Sequence, residues 1–263
     1  MRSARIHRFG GPSVIVVDEV PDPAPGPGQV LVEVAATSFN PTEVAVRTGR
    51  FPVPLPHTLG WDVAGTVDGE PVVGWIGGAA AERAAADPAR LVPAPRSVPL
   101  AHAAAIPLAG LTAWQLVFDH ARVRAGERVL VNGAGGGIGG FAVQLAKAAG
   151  ARVTATASPR SAAVVRRLGA DEVVGYGPVG AFDVVLNLVA DARVAHLGGR
   201  VVSATASDVP GAHVVTRFDA AQLREVVAAV EVDVSGEHRL EDLPELHRRA
   251  EAGLLRGKAV VKP

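Results

Sequence analysis

Short apolar runs rich in β-branched residues recur through the first hundred residues, with glycine and proline between them. The runs that predict strands are residues 13–17, 30–34, 62–67 and 71–75. Between the first two runs, residues 21–28 contain four prolines. That segment cannot be a helix or a central strand, so it predicts a surface turn. Short strands separated by turn signals predict a small β-barrel or sandwich.

From about Ala101 the pattern changes to alternating strands and helices. The predicted strands are residues 129–132, 152–157, 172–174, 182–188, 200–204 and 212–215, and the predicted helices are residues 101–105, 111–120, 137–149 and 160–168. Alternation with valine-rich runs predicts a doubly wound parallel sheet. The tail, residues 231–263, returns to strand, helix (243–252) and strand. We therefore predict one domain from residues 1–100 and 231–263, and a second from residues 101–230.

Composition narrows the classes of function. The chain has 263 residues, of which 48% are hydrophobic, and this is sufficient for two small domains. Lys plus Arg equals Asp plus Glu at 26 each, so there is no electrostatic case for nucleic acid or an anionic membrane as partner. The absence of cysteine excludes disulfides and thiolate metal sites. Without a signal-peptide core or a membrane-length apolar run, we expect a soluble cytoplasmic protein.

The most specific motif lies in mid-chain, where an apolar run, residues 129–131, leads into five glycines within residues 133–139. A stretch with helical periodicity follows, with Phe141, Val143 and Leu145 available for packing. Strand, glycine turn and helix is the order that binds a dinucleotide pyrophosphate. Glycines let the backbone approach the phosphates, and the start of the helix supplies unpaired N–H groups.

Three interpretations of this glycine turn compete. Chains rich in alanine and glycine produce such runs by chance. Gly133, Gly137 and Gly139 also fit the pattern of short-chain dehydrogenases, but that family needs a Tyr-x-x-x-Lys pair. The only tyrosine is Tyr176, and Gly180 stands where the lysine would be. We therefore discard the second interpretation.

The third interpretation uses motifs along nearly the whole chain. They are residues 26–34, 40–43, 47–52, 59–67, 106–114, 133–147, 168–174, 182–185, 198–202 and 257–258. In this order they resemble the medium-chain dehydrogenase/reductase superfamily, specifically a shortened member of its zinc-independent quinone oxidoreductase (zeta-crystallin-like) branch. The resemblance implies an α/β protein with a Rossmann doubly wound parallel sheet and a GroES-like β-rich catalytic domain. Both chain ends would build the catalytic domain.

A metal site is not expected. Zinc enzymes of the superfamily use Cys and His ligands, and this chain has no cysteine. Where those enzymes carry Gly-His-Glu, this chain has Gly60-Trp61-Asp62, and its eight histidines show no ligand spacing. Without a Lewis acid, hydride addition to an electron-poor acceptor is favoured over alcohol oxidation. A quinone or an α,β-unsaturated carbonyl is such an acceptor.

The second predicted strand of the sheet, residues 152–157, indicates the nicotinamide cofactor. NAD-selective folds end this strand with Asp or Glu, which binds the ribose 2′-OH. Here Ser158-Pro159-Arg160-Ser161 follows, with no carboxylate. Ser158 and Arg160 suit a 2′-phosphate, the guanidinium through charge-assisted hydrogen bonds, and we predict NADPH. Alternatively, Arg160 only begins the next helix on a solvated face.

The resemblance implies further cofactor contacts. The glycine-turn contacts would be Ala134, Gly135, Gly136, Gly137, Ile138 and Gly139. Tyr176 matches a tyrosine that lines the adenosine phosphate pocket in relatives, and Arg256 and Lys258 would close over the same end. Thr112, Ser203, Ala204 and Thr205 would lie near the nicotinamide. As alternatives, Thr112 bonds backbone inside a helix and Arg256 is a surface charge.

Candidate catalytic residues are few. Asn40 matches an asparagine that faces the nicotinamide in this branch, where an amide can orient the carboxamide or a substrate carbonyl. Its alternative is a turn-forming residue before Pro41. His57 is the one histidine in the expected vicinity, either a general acid or a packed loop residue. Trp61, with Phe51, would form an apolar slot for a flat substrate, or belong to the core.

We therefore predict an NADPH-dependent, metal-independent oxidoreductase that transfers hydride to a quinone or enone, with no nucleic-acid or membrane partner. A homodimer is compatible with the resemblance. Two alternatives stay open, an NADPH-binding sensor that reduces nothing and a specialised biosynthetic enoyl reductase. The first is motivated by the shortened regions between Asp68 and Arg83 and between Ser207 and Leu223.

Overall fold

The computed structural model describes residues 1–177, 180–190, 196–205 and 211–263, and it divides into two compact units. The terminal unit comprises residues 1–108, 218–227 and 234–263, and the central unit comprises residues 109–217 and 228–233. Residues 101–108 and 218–227, which we assigned to the nucleotide-binding domain, therefore group with the terminal unit. Ser207, where the second shortened region begins, lies outside the described residues.

Two β-sheets make up most of the terminal unit. A three-stranded antiparallel sheet has the order β2 (Ile15–Glu19), β1 (Arg2–Ile6), β4 (His57–Thr58). The larger sheet has the order β15 (Val234–Arg239), β16 (Lys258–Lys262), β3 (Val30–Ser38), β5 (Asp62–Val67), β6 (Glu70–Trp75) and β8 (Leu91–Pro93), and β7 (Arg83–Ala86) also pairs with β3. The carboxy-terminal strand β16 lies beside β3, so both chain ends build one sheet.

Local sequence explains the hairpin between β5 and β6. Its two-residue loop is Asp68-Gly69, and both residues have positive φ, 50° and 84°. Asp-Gly is the preferred sequence for such a turn because its backbone twist matches that of the flanking strands. Gly65 lies inside β5, where a Cβ would lie 2.2 Å from the carbonyl oxygen of Glu33. A side chain at this position would therefore separate β5 from β3.

Helices of the terminal unit pack around these sheets. They are α1 (Thr42–Arg47), α2 (Leu100–Ala103) and α7 (Leu243–Glu251), whereas α3 (Pro107–Trp114) and α6 (Ala220–Ala229) extend across the division into the central unit. Helix α7 begins at its predicted residue. Its leucines Leu243 and Leu246 are 1% exposed and join the core formed by β1 and β16.

A buried charge links α1 to α7. The side chain of Arg47 is fully buried, and its Nε donates to Nδ1 of His247 at 3.2 Å. Nη2 of Arg47 donates to Glu251 at 2.5 Å, and Nη1 donates to the carbonyl of Gly10. His247 also meets the ring of Phe39 edge-on, with centroids 5.0 Å apart. Burial and the adjacent guanidinium lower the pKa of His247 to about 3.

We predict that His247 makes stability depend on pH in the acid range. Its pKa is about 3 in the folded protein against an ordinary 6.5, so the unfolded chain binds an extra proton between these values. The free energy of unfolding should therefore fall as the pH falls through this range, by roughly 1.4 kcal/mol per pH unit from this group. Denaturant unfolding of wild type and His247→Asn, which cannot be protonated, measures the effect between pH 4 and pH 7.

The smaller asparagine should make the variant less stable than wild type at pH 7, because it leaves a cavity. The difference should shrink as the pH falls. A constant difference across the whole range would contradict the assignment.

The central unit is built on one parallel sheet. Its order is β11 (Glu172–Val174), β10 (Arg152–Thr156), β9 (Arg128–Asn132), β12 (Phe182–Asn187), β13 (Gly198–Ser203) and β14 (Ala212–His213). This is the 3-2-1-4-5-6 order of the doubly wound nucleotide-binding fold. Residues 129–131 are fully buried, which explains the continuous apolar run in β9. The predicted doubly wound parallel sheet is confirmed.

Several element boundaries differ from the sequence prediction. The helix after the glycine turn, α4 (Gly139–Ala148), begins two residues later than predicted because residues 137 and 138 still belong to the turn. The helix predicted at 111–120 begins with α3 and continues as a π-helix, Gln115–His120. Strands β1, β4, β7 and β8 and helices α1 and α6 were not predicted.

Within the described ranges, no helix is long and apolar enough to cross a membrane.

Candidate functional site

The glycine turn connects the carboxyl end of β9 to the start of α4, as the motif predicts. Gly133 has a φ of +90°, and a Cβ there would lie 2.6 Å from Val189. A Cβ on Gly139 would lie 2.4 Å from the carbonyl oxygen of Ala134, within the turn itself. Both positions therefore require glycine, the first for its backbone angle and the second for the close approach of helix and turn.

Several backbone N–H groups of this turn lack a partner within the described ranges. The N–H of Gly136 donates to the carbonyl of Gly133 at 3.1 Å. By contrast, the N–H groups of Gly135, Gly137 and Ile138 have no partner among the residues that the structure describes. All three residues are only partly buried. N–H groups ahead of a helix start form a site suited to phosphate, because the helix dipole adds partial positive charge there.

A chain of buried side-chain hydrogen bonds connects the glycine turn to the ends of the neighbouring strands. The N–H of Gly133 donates to Oγ1 of Thr156 at 2.9 Å, and that hydroxyl donates to Oδ1 of Asn132 at 2.7 Å. Nδ2 of Asn132 donates to Oδ1 of Asn187 at 2.9 Å. All three side chains are at most 3% exposed. They end the adjacent strands β10, β9 and β12, and sequence analysis did not single them out.

The segment after β10 begins helix α5 (Pro159–Arg167). Ser158 has extended backbone, and its hydroxyl has no hydrogen-bond partner in the described part of the chain. Arg160 is exposed in the first turn of α5. Ser161 is 4% exposed and packs under Gly135, where an added Cβ would lie 2.7 Å from the serine side chain. The sheet thus brings the start of α5 beside the glycine turn, with no carboxylate in residues 157–161.

Other predicted cofactor residues of the central unit end or follow strands, except Thr112, which lies within α3. Tyr176 follows β11 and is 60% exposed. Ser203 ends β13 with 2% exposure, while Ala204 and Thr205 follow it and are more exposed. The N–H of Ala204 donates to the carbonyl of Asn187 at 3.2 Å. Thr112 in α3 shares a side-chain hydrogen bond of 2.7 Å with Thr216. Their contacts with a cofactor stay predictions.

In the terminal unit, Asn40 belongs to a buried polar cluster at the end of β3. Nδ2 of Asn40 donates to Asp62 at 2.8 Å and to the carbonyl of Ser38 at 3.2 Å, and Oδ1 accepts from Nζ of Lys258 at 2.7 Å. Asn40 is 5% exposed. An ammonium can only donate and a carboxylate can only accept, so these neighbours fix the orientation of the amide. Both N–H bonds are used, and only Oδ1 keeps a free lone pair.

Lys258 lies inside this cluster rather than at the surface. It is 4% exposed, and its Nζ donates to the carbonyl of Phe39 at 3.1 Å and lies 3.6 Å from Asp62. Burial lowers the pKa of Lys258, and the nearby Asp62 opposes that change. We predicted that Lys258 contacts the adenosine end of the cofactor, and its engaged ammonium does not favour this role. Arg256, assigned to the same end, is half-buried in the loop before β16.

Glu43 completes the cluster. It lies in α1 with 1% exposure and accepts from the N–H of Asn40 at 3.2 Å. Burial raises the pKa of Glu43 to about 8, partly offset by the hydrogen bond from Asn40 and reinforced by Asp62. Near pH 7 Glu43 is therefore chiefly a neutral carboxylic acid beside the Lys258–Asp62 pair. This is the arrangement that burial permits, because an unpaired buried carboxylate is costly.

We predict that Glu43 lowers stability progressively as the pH rises. Its pKa is raised from 4.5 to about 8 on folding, so above pH 4.5 the unfolded state loses a proton that the folded state retains. Stability from this group should therefore be lost between about pH 5 and pH 8, by roughly 1.4 kcal/mol per pH unit. Glu43→Gln keeps a neutral acceptor and should become more stable relative to wild type across this range.

Equilibrium unfolding at pH 5, 6.5 and 8 measures that difference. Glu70→Gln, at an exposed position of the β5–β6 hairpin, is the matched control and should show no such trend. A pH-independent difference between Glu43→Gln and wild type would contradict the prediction.

Of the other two predicted catalytic residues, His57 lies in the smaller sheet of the terminal unit, and Trp61 directly precedes β5 of the larger sheet. His57 is half-buried in β4, and burial lowers its pKa below the ordinary 6.5. It is therefore mostly neutral at pH 7 and poorly suited to donate a proton. Trp61 is half-buried and packs near Trp75, with ring centroids 6.1 Å apart. Across residues 1–177, 180–190, 196–205 and 211–263, no three His, Asp or Glu side chains are grouped to hold a metal ion.

Comparison with known proteins shows a family match within the terminal unit. Residues 26–96 match the family model described as the alcohol dehydrogenase GroES-like domain. The rat quinone oxidoreductase is 34% identical over 238 residues, covering 77% of this chain and 72% of the rat protein. This chain spans 63–72% of the length of the mouse, rat and human quinone oxidoreductases that it matches. The predicted GroES-like domain is thus confirmed.

Solved structures match the whole chain. The quinone oxidoreductase from Coxiella burnetii superposes with a TM-score of 0.92 at 26% identity, covering 100% of this chain and 99% of that one. A mycobacterial protein, whose structure was determined in complex with NADPH, superposes with a TM-score of 0.87 at 27% identity over 100% of both chains. The resemblance drawn from the sequence motifs is therefore confirmed by independent comparisons of sequence and structure.

Proposed function

The chain belongs to the quinone oxidoreductase branch of the medium-chain dehydrogenase/reductase superfamily, and on this basis we propose an NADPH-dependent, metal-independent oxidoreductase. Its acceptor would be a quinone or an α,β-unsaturated carbonyl. The observation that carries the proposal is the group of N–H donors at Gly135, Gly137 and Ile138, which have no partner in the described part of the chain. Named relatives are quinone oxidoreductases, and one structural neighbour was determined with NADPH.

The residues of the central unit fit a dinucleotide. The glycine turn offers unpaired donors for the pyrophosphate, and the start of α4 adds the helix dipole. The absent carboxylate after β10 removes the usual partner of a ribose 2′-OH. Ser158 and Arg160 at the start of α5 would instead bind a 2′-phosphate, the guanidinium through charge-assisted hydrogen bonds. This combination favours NADPH over NADH.

When bound, NADPH supplies the hydride. The protein would hold the dinucleotide, and its side chains would determine which hydrogen bonds the nicotinamide and the substrate can form. Asn40 offers a single acceptor, Oδ1, because both of its N–H bonds are committed to Asp62 and Ser38. It can therefore accept a hydrogen bond from a carboxamide but cannot donate one to a substrate carbonyl.

The proton that completes the reduction would come from water rather than from a side chain. His57 is mostly neutral at pH 7, and Glu43 is buried. A reduced quinone can take its proton from water, so catalysis would come chiefly from positioning and from exclusion of water. A cytoplasmic location, a small-molecule acceptor and a homodimer stay part of the proposal.

We predict that the protein oxidises NADPH with at least one acceptor from a panel of quinones and enones, followed at the near-ultraviolet absorbance band of the reduced cofactor. Gly139→Ala should abolish turnover, because its Cβ would lie 2.4 Å from the carbonyl oxygen of Ala134. Gly77→Ala is the control, since its Cβ meets nothing within 4 Å and Gly77 is exposed.

Circular dichroism should verify that both variants are folded. NADPH binding without turnover with any acceptor would overturn the reductase proposal. That result would favour the alternative of a protein that binds the nucleotide as a sensor.

We further predict that Arg160 selects NADPH over NADH. Arg160→Ala should raise the Kd for NADPH about tenfold, the loss expected for one charge-assisted contact, and leave that for NADH nearly unchanged. Arg166→Ala, at an exposed position in the last turn of the same helix, is the matched control. Calorimetric titration of both cofactors measures the effect. An equal loss for NADH and NADPH would show that Arg160 does not recognise the 2′-phosphate.

A further inference from the structure

In the buried hydrogen-bond chain Thr156–Asn132–Asn187, the donor and the acceptor of each bond are fixed by the chemistry of the groups. The N–H of Gly133 can only donate, so Oγ1 of Thr156 must accept from it and direct its own hydrogen to Asn132. Oδ1 of Asn132 is thereby an acceptor, and its Nδ2 must point at Oδ1 of Asn187. No member can rotate or flip without leaving a buried polar atom unpaired, which is costly in a dry interior.

Thr156 holds the beginning of the glycine turn at two consecutive peptides. Its hydroxyl accepts from the N–H of Gly133, and its carbonyl accepts from the N–H of Ala134 at 3.0 Å. The far end of the turn is fixed by the close contact of Gly139 with Ala134. The unpaired N–H groups of Gly135, Gly137 and Ile138 lie between these fixed points. Their directions therefore depend on how firmly the peptide of Gly133 is held.

We propose that Thr156, Asn132 and Asn187 are positioning residues for the dinucleotide, because their one-way hydrogen-bond chain holds the peptide of Gly133 and so aims the phosphate-binding N–H groups. This inference rests on the proposed function, since it concerns how the same turn binds NADPH. It adds residues that never touch the ligand and that lie on the neighbouring strands β10 and β12 as well as on β9.

Thr156→Val tests the inference, because valine has the shape of threonine but neither accepts nor donates. It leaves both the N–H of Gly133 and Oδ1 of Asn132 without their partner. The Kd for NADPH of the purified full chain, measured by calorimetric titration, should rise about tenfold, as expected for an unpaired buried group that perturbs the turn. Thr156→Ser keeps the hydroxyl and should restore the Kd to within about threefold of wild type.

Thr154→Val is the matched control. Thr154 lies on the same strand two residues earlier, is 9% exposed, and its hydroxyl lies 3.4 Å from Glu172, away from the turn. It should bind NADPH as wild type does. Denaturant unfolding of all three variants gives the temperature and denaturant range in which each is folded, and binding is compared within that range.

Each outcome decides the question. If Thr156→Val is folded and binds NADPH as tightly as wild type, the chain only stabilises the sheet and the inference is overturned. If Thr154→Val and Thr156→Val lose affinity equally, the effect belongs to the strand and the inference is likewise overturned. If wild type binds no NADPH, the proposed function itself fails and the inference fails with it. Loss in Thr156→Val alone, with rescue by Thr156→Ser, supports it.

Discussion

The buried N–H of Gly133 requires a hydrogen-bond acceptor inside the protein. The conformation of the glycine turn in the central unit depends on the side chain that provides this acceptor. The positive φ of Gly133 turns the chain away from β9 at the point where a strand partner would otherwise bind this N–H. Thr156 supplies the acceptor from the adjacent strand, its hydroxyl donates to Asn132, and Asn132 donates in turn to Asn187. A turn held in this way leaves its next N–H groups available for a ligand.

In the terminal unit, buried charged groups likewise depend on partners inside the protein. Lys258 and Asp62 are both buried and lie 3.6 Å apart as an ion pair. Lys258 donates hydrogen bonds to Asn40 and the carbonyl of Phe39, and Asp62 accepts them from Asn40, Ser38 and the N–H of Leu108, which makes their burial tolerable. Burial raises the pKa of Glu43, which shares the site, to about 8, so this carboxyl stays mostly neutral near pH 7. The cluster joins β3, α1, β5 and β16, and it therefore ties the last strand of the chain to residues some two hundred positions earlier.

Motif order within the sequence was sufficient to predict the fold class and the family. The run of residues 129–131 followed by glycines predicted the strand, turn and helix because each carries a strong local signal. Strands β7 and β8 and helix α1 were missed because they are short and alanine-rich or β-branched, and only pairing or packing with distant segments stabilises them. The burial of Lys258 was not predicted for the same reason, since burial of a lysine has no local signature.

The sequence by itself determined which local structures form and which chemistry is absent: the glycine turn, the missing carboxylate after β10 and the lack of cysteine. Only the tertiary structure decided which polar side chains are free to act. Asn40 has one acceptor left because Asp62, Ser38 and Lys258 occupy the rest, and Thr156 supports the turn because β10 lies beside β9. Hydrogen-bond satisfaction is a property of neighbours in space, and residues far apart in the chain become such neighbours only on folding.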